Sequence, residues 1–236
     1  SVNLADQWTL GALIPQAAEA GLGVIAKRPL ANAAWRFEDR PVGQYEEPYW
    51  ERLRTMDKVT IAQIEGRVGG GGSELVSSMD MRFGVKGKTI VNQMEVPLGI
   101  LPGGTGTQRL PRLVGRGRAM EIVLGGDDLD AETAERWGYL NRIFDAADIE
   151  AHVSALANRI GSFPVEAVRL AKASVTAAEL PLAQGLQEEG YLFARLLRTE
   201  SAQTNMREFL EIGGQTREGE LKVGELAAAL GKPKVD

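Results

Sequence analysis

The sequence holds no cysteine and only one histidine, His152, in 236 residues. The first absence removes disulfide frameworks, cysteine-ligated zinc, iron–sulfur clusters and thiol nucleophiles. The second leaves any Ser–His–Asp relay dependent on a single residue and rules out a histidine-rich metal site. No stretch approaches the roughly 18 consecutive apolar residues of a membrane-spanning helix. The opening residues SVNLADQWTL lack the basic and apolar regions of a secretory leader, so a cytoplasmic location is expected. Basic residues are in the minority, 27 Lys+Arg against 32 Asp+Glu for a net charge of −5. With no basic face in view, nucleic acid is not an expected partner. Aromatic residues are scarce, and Trp8, Trp35 and Trp50 all precede residue 51, a shift in composition that hints at a boundary.

What remains is ordinary for a globular protein, 44% hydrophobic and 25% charged, in a chain long enough to bury its own core. Val24-Ile25-Ala26, after Gly21-Leu22-Gly23, reads as a buried strand, followed by a long irregular segment. From Lys58 the texture becomes regular. Val59 to Ile64 is rich in β-branched residues and predicts a strand, as do Met81 to Gly84, Thr89 to Val91 and Leu140 to Phe144. Ser73 to Asp80 predicts a short helix. Asp130 suits a helix N-cap with Glu132 in the first turn, and Gly138 suits its C-terminal glycine. Beyond residue 148 the pattern is helical throughout. Ile149, Val153, Leu156 and Ile160 form one apolar face ending at Gly161, and Pro164 suits the start of the next helix. Leu182, Leu186, Phe193, Leu196 and Leu197 mark another helix, and Met206, Phe209 and Leu210 a further one. Strand–loop–helix units followed by a helical layer make the fold class α/β.

Two features could carry chemistry. The strand ending at Ile64 runs into Gly69 to Gly72, then Ser73, Glu74 and a helix. Glycines between strand and helix leave backbone N–H groups free at a helix start, where they bind negative charge. Glu74 places a carboxylate beside them. The second feature is Glu95, which precedes another glycine-rich helix entry at Pro102-Gly103-Gly104. Carboxylates beside exposed backbone donors suit proton transfer next to a carbonyl, whose oxygen the donors hold as it becomes negative. Each feature also has a plainer reading. Taken singly, Glu74 and Glu95 read as solvated or capping residues, and Gly-Gly-Gly-Gly-Ser resembles a flexible linker, although its flanks continue as helix and strand. No Gly-Lys-Ser/Thr follows the glycines, so this is not a phosphate-binding loop of that type. His152 is read as solvent-facing.

At these residues the chain resembles the enoyl-CoA hydratase/isomerase (crotonase) superfamily over about 58–218. The resemblance rests on the strand 59–64, Gly70-Gly-Gly-x-Glu74, Asp80 and Leu98-Gly-Ile-Leu-Pro-Gly-Gly-Thr-Gly-Thr-Gln-Arg-Leu110. Leu113 to Gly115, Ala119 to Gly125 and Ala131 to Gly138 add to it. It implies a ββα spiral core over 58–160 and a C-terminal helical layer over 161–236 that builds a homotrimer or a dimer of trimers. It also implies an acyl-CoA thioester as substrate, with coenzyme A part of that substrate and no separate cofactor, metal or membrane partner. The implied reaction adds water across the 2,3 double bond of an enoyl-CoA. In that scheme Gly71 N–H is an oxyanion donor and Gly103, opening the next helix, helps polarise the site. Glu95 exchanges the proton at the α-carbon, and Glu74 orients or activates water for the β-carbon. The two glutamates stand one residue further apart than is usual in hydratases.

Residues 1–57 depart from this pattern and resemble a fragment of an aldo/keto reductase instead, through Asn3 to Gln7, Gly21 to Asn32 and Glu47 to Leu53. The expectation is therefore an N-terminally incomplete crotonase core that lacks one oxyanion donor, with impaired activity. One rival is a non-catalytic remnant that acts through oligomerisation. The other is a Δ3,Δ2-enoyl-CoA isomerase that relies on Glu95 alone.

Overall fold

The computed structural model describes residues 53–230. The aldo/keto-reductase-like segment, including Val24-Ile25-Ala26, lies almost wholly outside the described residues. Two compact units interleave along the chain: one takes in residues 68–79 and 91–129, the other 55–67, 80–90 and 130–230. Elements are numbered in chain order within the described residues.

In the second unit, β1 (Ile61–Ile64), β3 (Met81–Val85) and β6 (Arg142–Phe144) form a parallel sheet in the order β1-β3-β6. Ile61 pairs with Met81, and Val85 with Phe144. Phe83 and Val85 pack against Ile149, with Val153, Leu156 and Phe144 around them, so the predicted apolar face of the 149–161 helix does cover this sheet. The polar groups of the core are paired. Thr89 Oγ1 donates to the Ile64 carbonyl at 2.5 Å and accepts from Val85 N–H at 2.8 Å, and Arg82 Nε donates to the Tyr139 carbonyl at 2.7 Å. Lys172 binds both Asp80 Oδ2 (2.9 Å) and the Lys58 carbonyl (2.8 Å), while Asp80 also accepts from the N–H and hydroxyl of Thr60.

The helices of this unit are α4 (Ala131–Trp137), α5 (Ile149–Gly161), α6 (Val165–Ala177), α7 (Leu182–Leu196), α8 (Glu200–Glu211), α9 (Arg217–Leu221) and α10 (Val223–Leu230). Asp130 caps α4 through a bond from Thr133 N–H, and Gly138 ends it at φ 87°, both as the sequence predicts. The expected strand from Leu140 begins only at Arg142. The amides of Tyr139 and Leu140 are spent on the Ala134 carbonyl, closing α4 instead of joining a sheet. His152 is a correction too. It is half-buried and stacks on Phe144 at 4.3 Å, with its edge to Phe83 at 5.2 Å, because one turn of α5 brings it over the sheet's aromatic side chains.

The first unit holds the sheet β2-β4-β5, formed by β2 (Arg67–Gly69), β4 (Ile90–Asn92) and β5 (Leu129–Asp130). It also holds helices α1 (Gly71–Ser77), α2 (Gly106–Val114) and α3 (Arg116–Gly125). A 3-10 turn, Val96–Leu98, follows β4. No helix among the described residues is long and apolar enough to cross a membrane.

Candidate active site

All four residues singled out from the sequence fall in the first unit, on two glycine-rich connections. Gly70 turns the chain from β2 into α1 at φ 53°, a conformation open to glycine at little cost. Its amide donates to the Asn92 carbonyl at 3.1 Å, which ties the turn to the end of β4. Gly71 is exposed as the first residue of α1, and its amide has no acceptor among the described residues, as expected of a helix's first turn. Glu74 follows on the inner face of α1, only 3% exposed. Its Oε1 accepts the Gly106 N–H at 2.9 Å, so the first residue of α2 fixes the orientation of the carboxylate.

Glu95 reaches the same turn. A methyl group built on Gly70 would meet Glu95 Oε1 at 2.9 Å, so the missing side chain is what makes room for the carboxylate. Glu95 is 8% exposed, and its Oε2 is buried without a hydrogen-bond partner among the described residues. Burial pushes its carboxyl above the usual 4.5, with a hydrogen bond from its own backbone amide offsetting part of the rise. The segment that carries it is clamped: Asn92 Nδ2 donates to the Gly126 carbonyl at 2.8 Å, and Pro97 packs so close to Gly126 that a methyl there would sit 2.7 Å from Pro97 Cγ. Both glutamates are therefore buried, and the solvated readings fall away.

Gly103 is the one candidate whose placement differs from expectation. It lies exposed in the turn of residues 103–105, ahead of the helix it was expected to open. The helix starts at Gly106 because Thr105, at φ 82°, is its N-cap. A β-branched residue at positive φ is strained, and the Arg109 Nε bond to Thr105 Oγ1 at 2.9 Å helps hold it there. The role imagined for Gly103 is taken structurally by Gly106, where a methyl would come 2.8 Å from Pro102 Cβ, 3.0 Å from Glu74 Oε1 and 3.2 Å from Gln93 Nε2.

Sequence reasoning also passed over Gln93 and Ser73. Both are fully buried, and Gln93 Nε2 donates to Ser73 Oγ at 3.1 Å. A signal existed for Gln93: it stands two residues before Glu95 just beyond an apolar strand, and an alternating register puts such residues on one face. Among the described residues no group of three or more His, Asp or Glu is placed to hold a metal. The arrangement is thus two buried carboxylates around a glycine turn, one fixed by a backbone amide and the other held in a site that favours its neutral form. Such a pair can give a proton at one point and take one at another.

Comparison with known proteins points to one family. A probable enoyl-CoA hydratase of Mycobacterium tuberculosis is 36% identical over 163 residues, 69% of this chain and 63% of that protein. A crotonyl-CoA hydratase of Syntrophomonas wolfei is 34% identical over 176 residues, 74% of this chain and 67% of that protein. The solved enoyl-CoA hydratase of Geobacillus kaustophilus superposes with a TM-score of 0.68 at 31% identity, covering 70% of this chain and 63% of its own. The chain thus spans less than two thirds of the length of several relatives it matches. The sequence model of the enoyl-CoA hydratase/isomerase family matches residues 30–218, beginning earlier than the residue 58 expected from the motifs. With the matched segment making up most of the sequence and carrying the crotonase fold, the chain belongs to the enoyl-CoA hydratase/isomerase family.

Proposed function

We propose that this chain adds water across the 2,3 double bond of an enoyl-CoA thioester. The observation that carries the reading is the pair of buried carboxylates near the Gly70-Gly71 turn: Glu74, whose Oε1 accepts from the Gly106 amide, and Glu95, whose Oε1 fills the space beside Gly70. The names of its relatives, enoyl-CoA and crotonyl-CoA hydratases, support the substrate class.

In this reading the amide of Gly71 donates to the thioester oxygen as negative charge builds on it. Glu74 takes a proton from water as the water oxygen bonds to the β-carbon. Glu95 gives its proton to the α-carbon, and burial, which raises its pKa, favours the protonated form that this role needs. The atoms balance: hydroxide ends on the β-carbon, a proton on the α-carbon, and exchange between the carboxyls and solvent resets the site. The reaction needs no metal or separate cofactor, since coenzyme A arrives with the substrate. Two buried carboxylates also favour this reading over isomerisation, which needs only one. The large apolar side chains Leu182, Leu186, Phe193 and Leu210, all more than half exposed, support assembly through the C-terminal helices as a homotrimer or a dimer of trimers.

The test is hydration of crotonyl-CoA by the purified chain, followed as loss of the enoyl-thioester absorbance, with Glu74→Gln and Glu95→Gln alongside. Turnover abolished by both substitutions supports the reading. Turnover that survives Glu74→Gln points to chemistry on Glu95 alone, and no turnover by a folded wild type would sink it.

A further inference from the structure

Gln93 has no part in the chemistry above, yet it is one of the most deeply buried polar side chains in the first unit, with no exposure at all. A carboxamide offers two hydrogens and two lone pairs. Ser73 Oγ, itself fully buried, accepts one of the hydrogens, and this fixes which end of the amide faces α1. The other end, Oε1, is buried with no hydrogen-bond partner among the described residues. Glu95 Oε2 is in the same condition. Burial alternates along the segment, Gln93 at 0%, Met94 at 48% and Glu95 at 8%, so Gln93 and Glu95 share the inner face.

Leaving a buried acceptor unpaired costs the desolvation of that group with nothing in return. Gln93 Oε1 can only accept, whereas Glu95 carries the proton it gives to the α-carbon. A thioester oxygen, also an acceptor, cannot satisfy Gln93 Oε1. A water hydrogen can. From this geometry we infer that Gln93, locked by Ser73, is a positioning residue for the water that attacks the β-carbon, an inference that rests on the hydratase reading. Gln93 Oε1 accepts one hydrogen of the water, and the Glu74 carboxylate, which takes the proton in the hydratase reading, accepts the other. With both hydrogens held, the directions of the oxygen lone pairs are fixed. The O–H bond aimed at the carboxylate is the one that breaks as the C–O bond forms. The O–H bond held by Gln93 survives into the product, so Gln93 Oε1 also accepts from the new 3-hydroxyl group and positions it for the reverse dehydration. Ser73 acts one step further back, by keeping the amide from turning its NH2 toward the water.

The kinetic test is Gln93→Met, which keeps the length and removes the acceptor, with Ser73→Ala and Ser73→Thr. The expected result is a roughly ten- to hundredfold fall in kcat for Gln93→Met with KM for crotonyl-CoA little changed, a smaller fall for Ser73→Ala, and recovery in Ser73→Thr, which restores the hydroxyl. A role in folding alone would instead lower the amount of active enzyme and leave kcat per active site unchanged. An unchanged kcat in Gln93→Met overturns the inference while leaving the hydratase reading intact. An inactive wild type overturns the hydratase reading, and crystals then decide the water itself. Ordered solvent within hydrogen-bond distance of Gln93 Oε1, lost in Ser73→Ala, supports the placement, and an empty Oε1 overturns it.

Discussion

The two units solve the problem of buried polarity in opposite ways. In the second unit Arg82, Thr89 and Lys172 each sit in or near the core with their polar atoms engaged by carbonyls or a carboxylate. In the first unit the deepest polar side chains include two oxygens with no hydrogen-bond partner among the described residues, on Gln93 and Glu95. The backbone tells the same story, since Thr105, the one non-glycine residue at positive φ among the described residues, stands next to the Gly106 that meets Glu74. Stability is built into one unit, while the other keeps open valences and local strain, as expected where a polypeptide must grip a reacting molecule.

The largest test of that contrast is Glu95→Gln. Hydration should fall by roughly 10²–10⁴, the typical contribution of a positioned acid or base. Stability should move the other way. In the native state Glu95 holds its proton above the ordinary pKa of 4.5. Between that value and its raised one, the folded chain binds more protons than the unfolded chain, and stability drops as pH rises. Thermal melts should therefore show the variant gaining over wild type toward neutral and alkaline pH, with the gain vanishing as pH falls to about 4.5 or below. A variant less stable at every pH would break the comparison.

Next comes Gly106→Ala. The added methyl presses on Glu74 Oε1 and Pro102, and a displacement of even 1 Å at such a site can cost about a hundredfold. A large loss of kcat/KM with a modest change in Tm is the expected pattern. In the other unit, Lys172→Met breaks the bonds to Asp80 and the Lys58 carbonyl. It should lower unfolding free energy by roughly 1–3 kcal/mol in urea titrations and leave kcat alone. The smallest effect is expected for Thr105→Asn, which keeps a polar oxygen and suits positive φ better, for a gain of about 1 kcal/mol or less. Were it to destabilise by more than that, the bond from Arg109 would outweigh the strain.

Much of the second unit was legible in the chain. The four-, three- and four-residue spacing of Ile149, Val153, Leu156 and Ile160 marks the helix that covers the sheet, and Asp130 with Gly138 brackets α4. Local rules suffice there because the signals are local. His152 was misread because its partners lie outside its own helix, Phe144 on the strand just before it and Phe83 on a strand far back in the chain. At the site, glutamates flanked by glycines were visible as candidates, since reactive residue types and turn formers stand next to each other in sequence. What could not be read was which glycine serves which carboxylate: Glu74 is met by Gly106, 32 residues away, rather than by its own loop or by Gly103. Gln93 stayed hidden for a related reason. An amide draws notice only once one end is seen to be tied and the other left over.

The bond from Gly106 to Glu74 also shapes how this site can drift. Its donor is a main-chain amide, so no side chain at residue 106 has to be remembered for the hydrogen to be present. Every amino acid except proline would supply it. What the position selects for is smallness, because the space beside that amide is already filled by Pro102, Glu74 and Gln93. A genetic screen at codon 106 should thus grade variants by volume and be nearly blind to their charge or polarity.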